Sequence, residues 1–205
     1  MAAQGPKQQR VGRPGQRLSD PSGLQMTLVE TPEETDGKRL AMEWLVPPRH
    51  RLVAADHYHP DGPEVWELLE GTAGYRLDGR DRTASAPHTY VVEAGTPHGH
   101  PWNAGADPVR VRQLIASEQP IPDITGGVQG FFETLFAFAQ RGKVNGQGDI
   151  DGRLQNVLSI HDLLVPGTFL AGPPRWAQRF GLGGISAVAR ATGKRAYAQP
   201  EFDAS

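Results

Sequence analysis

Between residues 39 and 118, apolar and polar residues either alternate or fall into short apolar runs that end at turns. Pro, Gly and Asp separate these runs, and no long helical period lies between them. Asp78-Gly79 is a strong hairpin signal, because a type I′ turn needs positive φ at both central residues. The pattern predicts an antiparallel sandwich or barrel of about six to eight strands. The strands are expected at residues 40–46, 51–57, 65–69, 74–77, 89–92 and 109–115.

The pattern changes after residue 118, where apolar residues follow a helical spacing. Residues 130–141 predict a helix, and two more are expected at residues 154–164 and 175–190. The first helix has an apolar face, and such a face must pack on something. We expect it to pack on the core or on a second subunit, and exposed apolar surface there favours a homodimer. The residues of this face are Phe131, Leu135, Phe138 and Ala139.

These changes divide the chain into three parts. Residues 1–25 carry basic side chains among Gln, Gly and Pro, which is typical of a mobile tail. Residues 26–118 form the predicted barrel, and residues 119–205 form a helical extension of that barrel.

Composition and charge exclude several classes of protein. The 25 Gly and 18 Pro are about a fifth of the 205 residues, which argues against a helical bundle. The net charge of −2 gives no reason to expect nucleic acid or an anionic membrane as a partner. The absence of cysteine excludes disulfides, thiolate metal sites and thiol catalysis.

Targeting signals are also missing from the sequence. No apolar run approaches the roughly 20 residues of a membrane span. Residues 1–23 lack the apolar core of a signal peptide, so we expect a cytoplasmic protein. Arg predominates over Lys, and Ala and Gly are abundant, which is typical of a GC-rich bacterial genome.

Four of the seven histidines fall into two clusters that suggest a metal site. His57 and His59 are two residues apart, so on a strand they project from the same face. Two imidazoles in this arrangement can converge on one cation. The turn that follows returns Glu64 to the neighbouring strand, where its carboxylate can add an oxygen ligand. In the second cluster, a turn at Gly95 and Pro97 precedes His98, which should enter a strand facing inward.

The two clusters resemble the two motifs of the cupin family. His57, His59, Glu64 and Gly71 follow the first motif, and Gly95 and His98 follow the centre of the second. The chain departs from the motifs at Arg51, which replaces a Gly, at Glu93, which replaces a Pro, and at Asn103, which comes one residue late. The resemblance covers residues 40–118. It implies a double-stranded β-helix, or jelly roll, with the helices packed outside.

The resemblance also implies one divalent metal ion held by His57, His59, Glu64 and His98. The ion could be Fe, Mn, Ni, Cu or Zn, since these ligand types do not select among them. We expect an enzyme that acts on a small organic molecule, with O2-dependent dioxygenation of a phenolic or β-dicarbonyl substrate favoured. Non-redox Lewis-acid chemistry, as in an isomerase, cyclase or lyase, is an alternative. A cupin that only binds a small molecule is another.

Strand alternation suggests three more residues of the site. His100 lies two residues beyond His98, so it should face the same cavity, either as a proton-transfer residue or as a further metal ligand. Trp66, two residues after Glu64, and Trp102, two residues after His100, could line a substrate pocket by the same reasoning.

Overall fold

The computed structural model describes residues 12–51, 55–145 and 149–204. Within these residues, eleven strands form two antiparallel sheets. The strands are β1 (Arg17–Ser19), β2 (Gln25–Glu30), β3 (Arg39–Val46), β4 (His57–Tyr58), β5 (Glu64–Glu70), β6 (Thr72–Leu77), β7 (Arg80–Ser85), β8 (His88–Val92), β9 (His98–Trp102), β10 (Val109–Ala116) and β11 (Phe169–Leu170).

The two sheets form the predicted antiparallel barrel. One sheet has the order β1-β2-β3-β10-β5-β8, and the other has the order β11-β4-β9-β6-β7. The eight strands from β3 to β10 lie inside the region of residues 39–118 where the sequence pattern predicts strands, which confirms the expected mainly β architecture. Asp78 and Gly79 have φ angles of 51° and 70°, and they join β6 to β7 in the predicted hairpin.

The strand predicted at residues 51–57 is shorter in the structure. Residues 52–54 of that prediction lie outside the described residues. Arg51 makes an isolated bridge to Trp102, and β4 covers only His57 and Tyr58.

The N-terminal segment differs from the predicted mobile tail at residues 1–25. β1 pairs with β2, and β2 pairs with β3, so both strands extend the first sheet. Leu18 and Met26 are fully buried, which holds this segment on the core. Residues 1–11 of the predicted tail lie outside the described residues. The sequence prediction overlooked β1 because only three residues form it and charged and small residues surround them.

Four helices follow β10, and three of them adjoin one of two π-helical turns. The helices are α1 (Pro122–Ala139), α2 (Arg153–Ser159), α3 (Arg175–Ala177) and α4 (Gly183–Ala191), with π-helical turns at Ile160–Leu164 and Gln178–Leu182. α2 and its π-helical turn occupy the segment predicted at residues 154–164. The segment predicted at residues 175–190 contains α3, the second π-helical turn and α4.

The first helix begins eight residues earlier than predicted. Pro122 lies in its first turn, where a missing N–H removes no helical hydrogen bond. Because Gly126 and Gly127 are poor helix formers, the sequence pattern did not predict that α1 starts at Pro122. A Cβ at Gly127 would lie 2.2 Å from the carbonyl oxygen of Leu163, so glycine permits α1 and the first π-helical turn to pack closely.

The apolar face of α1 packs inside the protomer. Phe131, Phe132 and Phe136 are buried in the same core as Trp44, and the Trp44 and Phe132 rings meet edge to face at 4.7 Å. This burial confirms that the Phe131 face belongs to the core. It also removes the exposed surface on which the predicted homodimer rested, so the homodimer stays a prediction. The exposed large apolar side chains of the helical region lie elsewhere, at Trp176, Phe180, Ile185 and Val188.

Among the described residues, no helix has the length and apolar character needed to cross a membrane.

The contact at Gly127 predicts opposite effects for two Gly→Ala substitutions. Alanine stabilises an ordinary helix position by about 1 kcal/mol relative to glycine. Gly127→Ala should nevertheless lower the free energy of unfolding by about 1–3 kcal/mol, because the new methyl group forces α1 away from Leu163. Gly184→Ala on α4 meets open space, so it should leave stability unchanged or raise it. Urea unfolding of both variants tests this, and equal effects would contradict the close packing at Gly127.

Candidate metal centre

Both sheets contribute residues to one buried polar cluster. His57 on β4 is the register partner of His98 on β9, and His59 follows β4 directly. Glu64 opens β5 in the opposite sheet, so its carboxylate reaches the three imidazoles from across the barrel. All four side chains are buried.

The ligand atoms of these four residues converge. One donor atom from each of His57, His59, Glu64 and His98 lies within 4.8 Å of the other three. The Oε2 atom of Glu64 lies 2.6 Å from Nε2 of His98 and 3.6 Å from Nε2 of His59. Two donors bound at about 2.1 Å to one ion are at most about 4 Å apart, so the cluster is close to the size that a single ion requires.

Three of the converging atoms lack a partner in hydrogen-bond geometry. They are Nε2 of His59, Nε2 of His98 and Oε2 of Glu64. Buried polar atoms are nearly always satisfied by a hydrogen bond, and each exception needs a physical reason. A divalent cation would satisfy all three at once. The four residues therefore fit a metal ion, and they are the ones that the sequence predicted.

The electrostatics of the cluster depend on Glu64. Burial by itself would raise the pKa of the Glu64 carboxyl, but the facing imidazoles of His98 and His59 outweigh it and hold that pKa well below its ordinary value. Burial would lower the pKa of His98, whereas the Glu64 carboxylate raises it above the ordinary histidine value. Burial, followed by the neighbouring histidines, lowers the pKa of His57 well below the ordinary value. Glu64 is therefore ionised and His57 neutral, which are the states that metal binding requires.

The outer nitrogen of each imidazole lies against an oxygen atom. Nδ1 of His57 is 3.2 Å from the Ala55 carbonyl oxygen, and Nδ1 of His98 is 3.0 Å from that of Thr96. Nδ1 of His59 is 2.9 Å from the hydroxyl of Thr168, which lies more than 100 residues away in the sequence. Oxygen atoms on the outer nitrogens leave the inner nitrogens directed at the cluster.

Gln113 on β10 orients the carboxylate, and the sequence analysis missed it. Its side-chain amide donates to Oε1 of Glu64, and its oxygen accepts a hydrogen bond of 3.2 Å from the indole of Trp44. The Trp44 contact fixes which end of the amide faces Glu64. A signal was present in the sequence, since Gln113 is a polar residue at an inward position of an alternating strand.

A small pocket of about 70 Å³ lies beside the cluster. Its wall includes His57, His59 and His100, and the helical region supplies most of the rest. α1 and the π-helical turn after α2 thus close the end of the barrel over the cluster. A cavity of about 150 Å³ is needed to hold benzene, so this pocket takes only a few heavy atoms. The apolar part of the wall is formed by Val128, Phe131, Phe132, Ile160, Leu164, Val165 and Leu170.

His100 faces the pocket, as predicted from strand alternation. Its ring lies 4.8 Å from that of His57 and meets Trp66 and Phe132 edge to face. It is buried and lines the pocket, yet its nitrogens are not part of the converging group. This places His100 beside the cluster in a position suited to proton transfer.

Neither predicted tryptophan is among the side chains that line this pocket. Trp66 lies behind His100, fully buried in the barrel core. The β6–β9 ladder shifts register between Gly74 and Arg76, so β9 carries an extra residue between Gly99 and Trp102. Such a bulge reverses the alternation. Trp102 packs against Gly74 and lies under the Arg51 guanidinium at 4.3 Å instead.

A larger cavity of about 470 Å³ lies further along the same face of α1, where Phe132, Leu135, Phe136 and Ala139 line it. Trp44, Phe132 and Phe136 line its apolar part, and Arg49 and Arg51 lie at its polar part. Phe132 lines both this cavity and the small pocket, so its side chain separates the two spaces.

Comparison with known proteins agrees with this geometry. Residues 42–116 match the family model of the cupin domain. Residues 42–116 therefore form a cupin domain. The match runs from within β3 to the end of β10 and includes all four residues of the cluster, while the helical region lies beyond it.

Several solved structures are similar to this cupin domain, at low sequence identity. One is a double-stranded β-helix protein from Klebsiella pneumoniae, with 22% identity, 46% of this chain and 77% of that chain covered, and a TM-score of 0.39. Another is a predicted oxalate decarboxylase from Thermotoga maritima, with 18% identity and a TM-score of 0.41; the match covers 53% of this chain and 90% of that chain. A third is a sugar phosphate isomerase of the cupin superfamily from Silicibacter pomeroyi, with 16% identity and a TM-score of 0.41; the match covers 49% of this chain and 70% of that chain. No curated protein matches the sequence.

The cluster predicts which histidines control metal content. Protein purified without chelator should carry about one divalent ion per chain, and His57→Ala and His98→Ala should each remove most of it. His50→Ala is the matched control, because His50 is a partly buried histidine outside the cluster. Elemental analysis of the four proteins measures the result, and equal metal content in all of them would refute the assignment.

Proposed function

We propose that this protein is a divalent-metal-dependent cupin enzyme that adds O2 to a small phenolic or β-dicarbonyl compound. The observation that carries the proposal is the convergence of three imidazoles and one carboxylate beside a mostly apolar pocket whose wall includes His57 and His59. A purely structural metal site needs no such pocket, since all of its coordination positions are filled by the protein.

The cluster residues His57, His59, Glu64 and His98 would hold Fe, Mn, Ni or Cu for this reaction. The ion supplies activation of O2 and binding of the substrate oxygens. The stoichiometry needs no other reductant: the O–O bond and one carbon–carbon bond of the substrate break, and both oxygen atoms enter the product. The substrate itself therefore provides the electrons.

The helical region supplies the dry environment for this chemistry. Val128, Phe131 and Phe132 of α1 face the pocket together with Leu164 of the first π-helical turn. Their apolar side chains exclude water, which strengthens the electrostatic interactions inside the pocket and protects reactive species from side reactions.

His100 would accept the proton that a phenol or enol loses when it binds as an anion. The imidazole lies on the pocket wall beside His57, within reach of a substrate that contacts the cluster. The fully buried Trp66 packs edge to face against the ring of His100, so the orientation of that ring is set before substrate arrives.

The volume of the pocket limits how a substrate binds. About 70 Å³ accepts O2 and the reacting oxygens of a substrate but not a whole aromatic ring. Rotation of Phe132 would join this pocket to the cavity of about 470 Å³, which is large enough for such a ring. A substrate that contains a ring would therefore extend past Phe132.

The position of His100 also favours a second candidate function, which is non-redox isomerisation, cyclisation or bond cleavage at a carbonyl compound. In that reaction the ion, which could then also be Zn, would polarise the carbonyl group as a Lewis acid. His100 would move a proton between two atoms of the same substrate.

Oxygen consumption distinguishes the two candidates. The protein is loaded in turn with Fe, Mn, Ni, Cu and Zn and is offered a panel of phenolic and β-dicarbonyl compounds. We expect substrate-dependent O2 uptake with at least one redox-active metal and none with Zn. Conversion of a substrate with O2 uptake at background for every metal would refute the dioxygenase and favour the Lewis-acid reaction.

His100→Ala tests the proton-transfer role. The substitution should lower the turnover number by about 10²-fold or more, because a positioned acid–base group contributes that much. Metal content should not change, since His100 lies outside the converging donor atoms. Loss of the metal in His100→Ala would show instead that this residue is a ligand.

A further inference from the structure

The hydrogen bond between Thr168 and His59 differs from the outer contacts of the other two histidines. Nδ1 of His57 and Nδ1 of His98 face backbone carbonyl oxygens, each two residues earlier in the chain. A carbonyl oxygen only accepts, so these contacts fix the proton on Nδ1. His59 faces a hydroxyl group, at 2.9 Å, and that hydroxyl belongs to the region beyond the cupin domain.

Thr168 lies on a segment that is joined to the histidine-bearing strand. It comes immediately before β11, and β11 pairs with β4 through Phe169↔Tyr58 and Leu170↔His57. On its other side, the Thr168 amide donates to the carbonyl oxygen of Leu164 at 2.7 Å, at the end of the first π-helical turn. The side chain is buried, so the hydroxyl is held in place from both directions.

The second helical segment fixes β11 from outside. The side-chain amide of Gln178, which is buried, donates to the carbonyl oxygens of Leu170 and Pro173 and accepts from the Leu170 amide, all at 2.8–2.9 Å. Arg175 donates to the Tyr58 hydroxyl at 3.1 Å, and its guanidinium lies 5.2 Å from the centre of the Phe169 ring. The position of Thr168 therefore depends on the end of the first π-helical turn and on Arg175 and Gln178 of the second helical segment.

We infer that Thr168 is a positioning residue of the metal centre, and that metal binding and docking of the segment around β11 stabilise each other. The inference rests on the metal site that the proposed function uses. When the Thr168 hydroxyl accepts from Nδ1–H of His59, the lone pair of Nε2 points at the other ligands. A partner of this kind typically changes metal affinity by about 10–100-fold. Coupling between two binding events is reciprocal, so a bound ion also strengthens the docking of β11.

Two substitutions at Thr168 test the hydroxyl itself. Thr168→Val keeps the shape and removes the hydroxyl, so the Kd for Zn²⁺ measured by calorimetry on the metal-depleted full chain should rise about 10–100-fold. Thr168→Ser keeps the hydroxyl and should stay within about threefold of the wild type.

Thr125→Val is the matched control for a loss of stability. Thr125 is also buried, and its hydroxyl donates to the Gly37 carbonyl oxygen at 3.0 Å, away from the cluster. Its replacement removes a comparable buried hydrogen bond but should leave the Zn²⁺ affinity unchanged. An equal loss of affinity in Thr125→Val and Thr168→Val would show that the effect is general destabilisation.

Hydrogen exchange at β11 tests the reciprocal effect. Zn²⁺ should slow exchange of the β11 amides in the wild type, and it should slow that exchange much less in Thr168→Val, measured with the variant saturated with Zn²⁺. The inference would be overturned if Thr168→Val bound Zn²⁺ as tightly as the wild type, or if Zn²⁺ did not change the exchange rate of the β11 amides. Either result would leave the assignment of the metal centre intact. Failure of the wild-type protein to bind Zn²⁺, Fe²⁺ or Mn²⁺ would refute the metal centre and the inference with it.

Discussion

The burial of the Glu64 carboxylate is the constraint on which the rest of the site depends. An ionised carboxylate inside a barrel is strongly destabilising unless opposite charge and hydrogen bonds compensate for the lost hydration. Gln113 satisfies one oxygen of Glu64, while the other faces His59 and His98 without a hydrogen bond. That second oxygen makes a bound cation the simplest physical explanation of the cluster and of the three histidines that surround it.

The helical region belongs to the site as much as the barrel does. α1 closes the end of the barrel with aromatic side chains, and the segment after the first π-helical turn carries Thr168 to the outer face of His59. Both arrangements depend on close backbone packing, which Gly127 permits at the Leu163 carbonyl. A barrel alone would leave the cluster open to water, so the apolar pocket is produced by the two parts together.

Strand alternation predicted part of this site well and failed where the strands are irregular. Local geometry indicated that His57, His59 and Glu64 could converge and that His98 faces inward, and the resemblance to the cupin motifs joined the four into one set. His100 followed from the same rule. Trp102 did not, because a bulge in β9 shifts its phase relative to His100. Pro101 lies within the bulged stretch, and proline in a strand is a signal of a bulge that the alternation rule did not take into account. Trp66 obeys the alternation and faces the core, but His100 stands between it and the pocket.

The sequence by itself determined the strand region and the Asp78-Gly79 hairpin, because alternation and turn chemistry act over a few residues. It also identified the four converging residues, through their resemblance to the cupin motifs. The tertiary structure alone decided which side chains complete the site. Thr168 contacts His59, which lies more than 100 residues earlier in the sequence. α1 starts at Pro122 in spite of the two glycines in its first turns, and one of them, Gly127, packs against Leu163. Contacts of this kind depend on where distant backbone segments pack, and the local residue pattern contains no information about that packing.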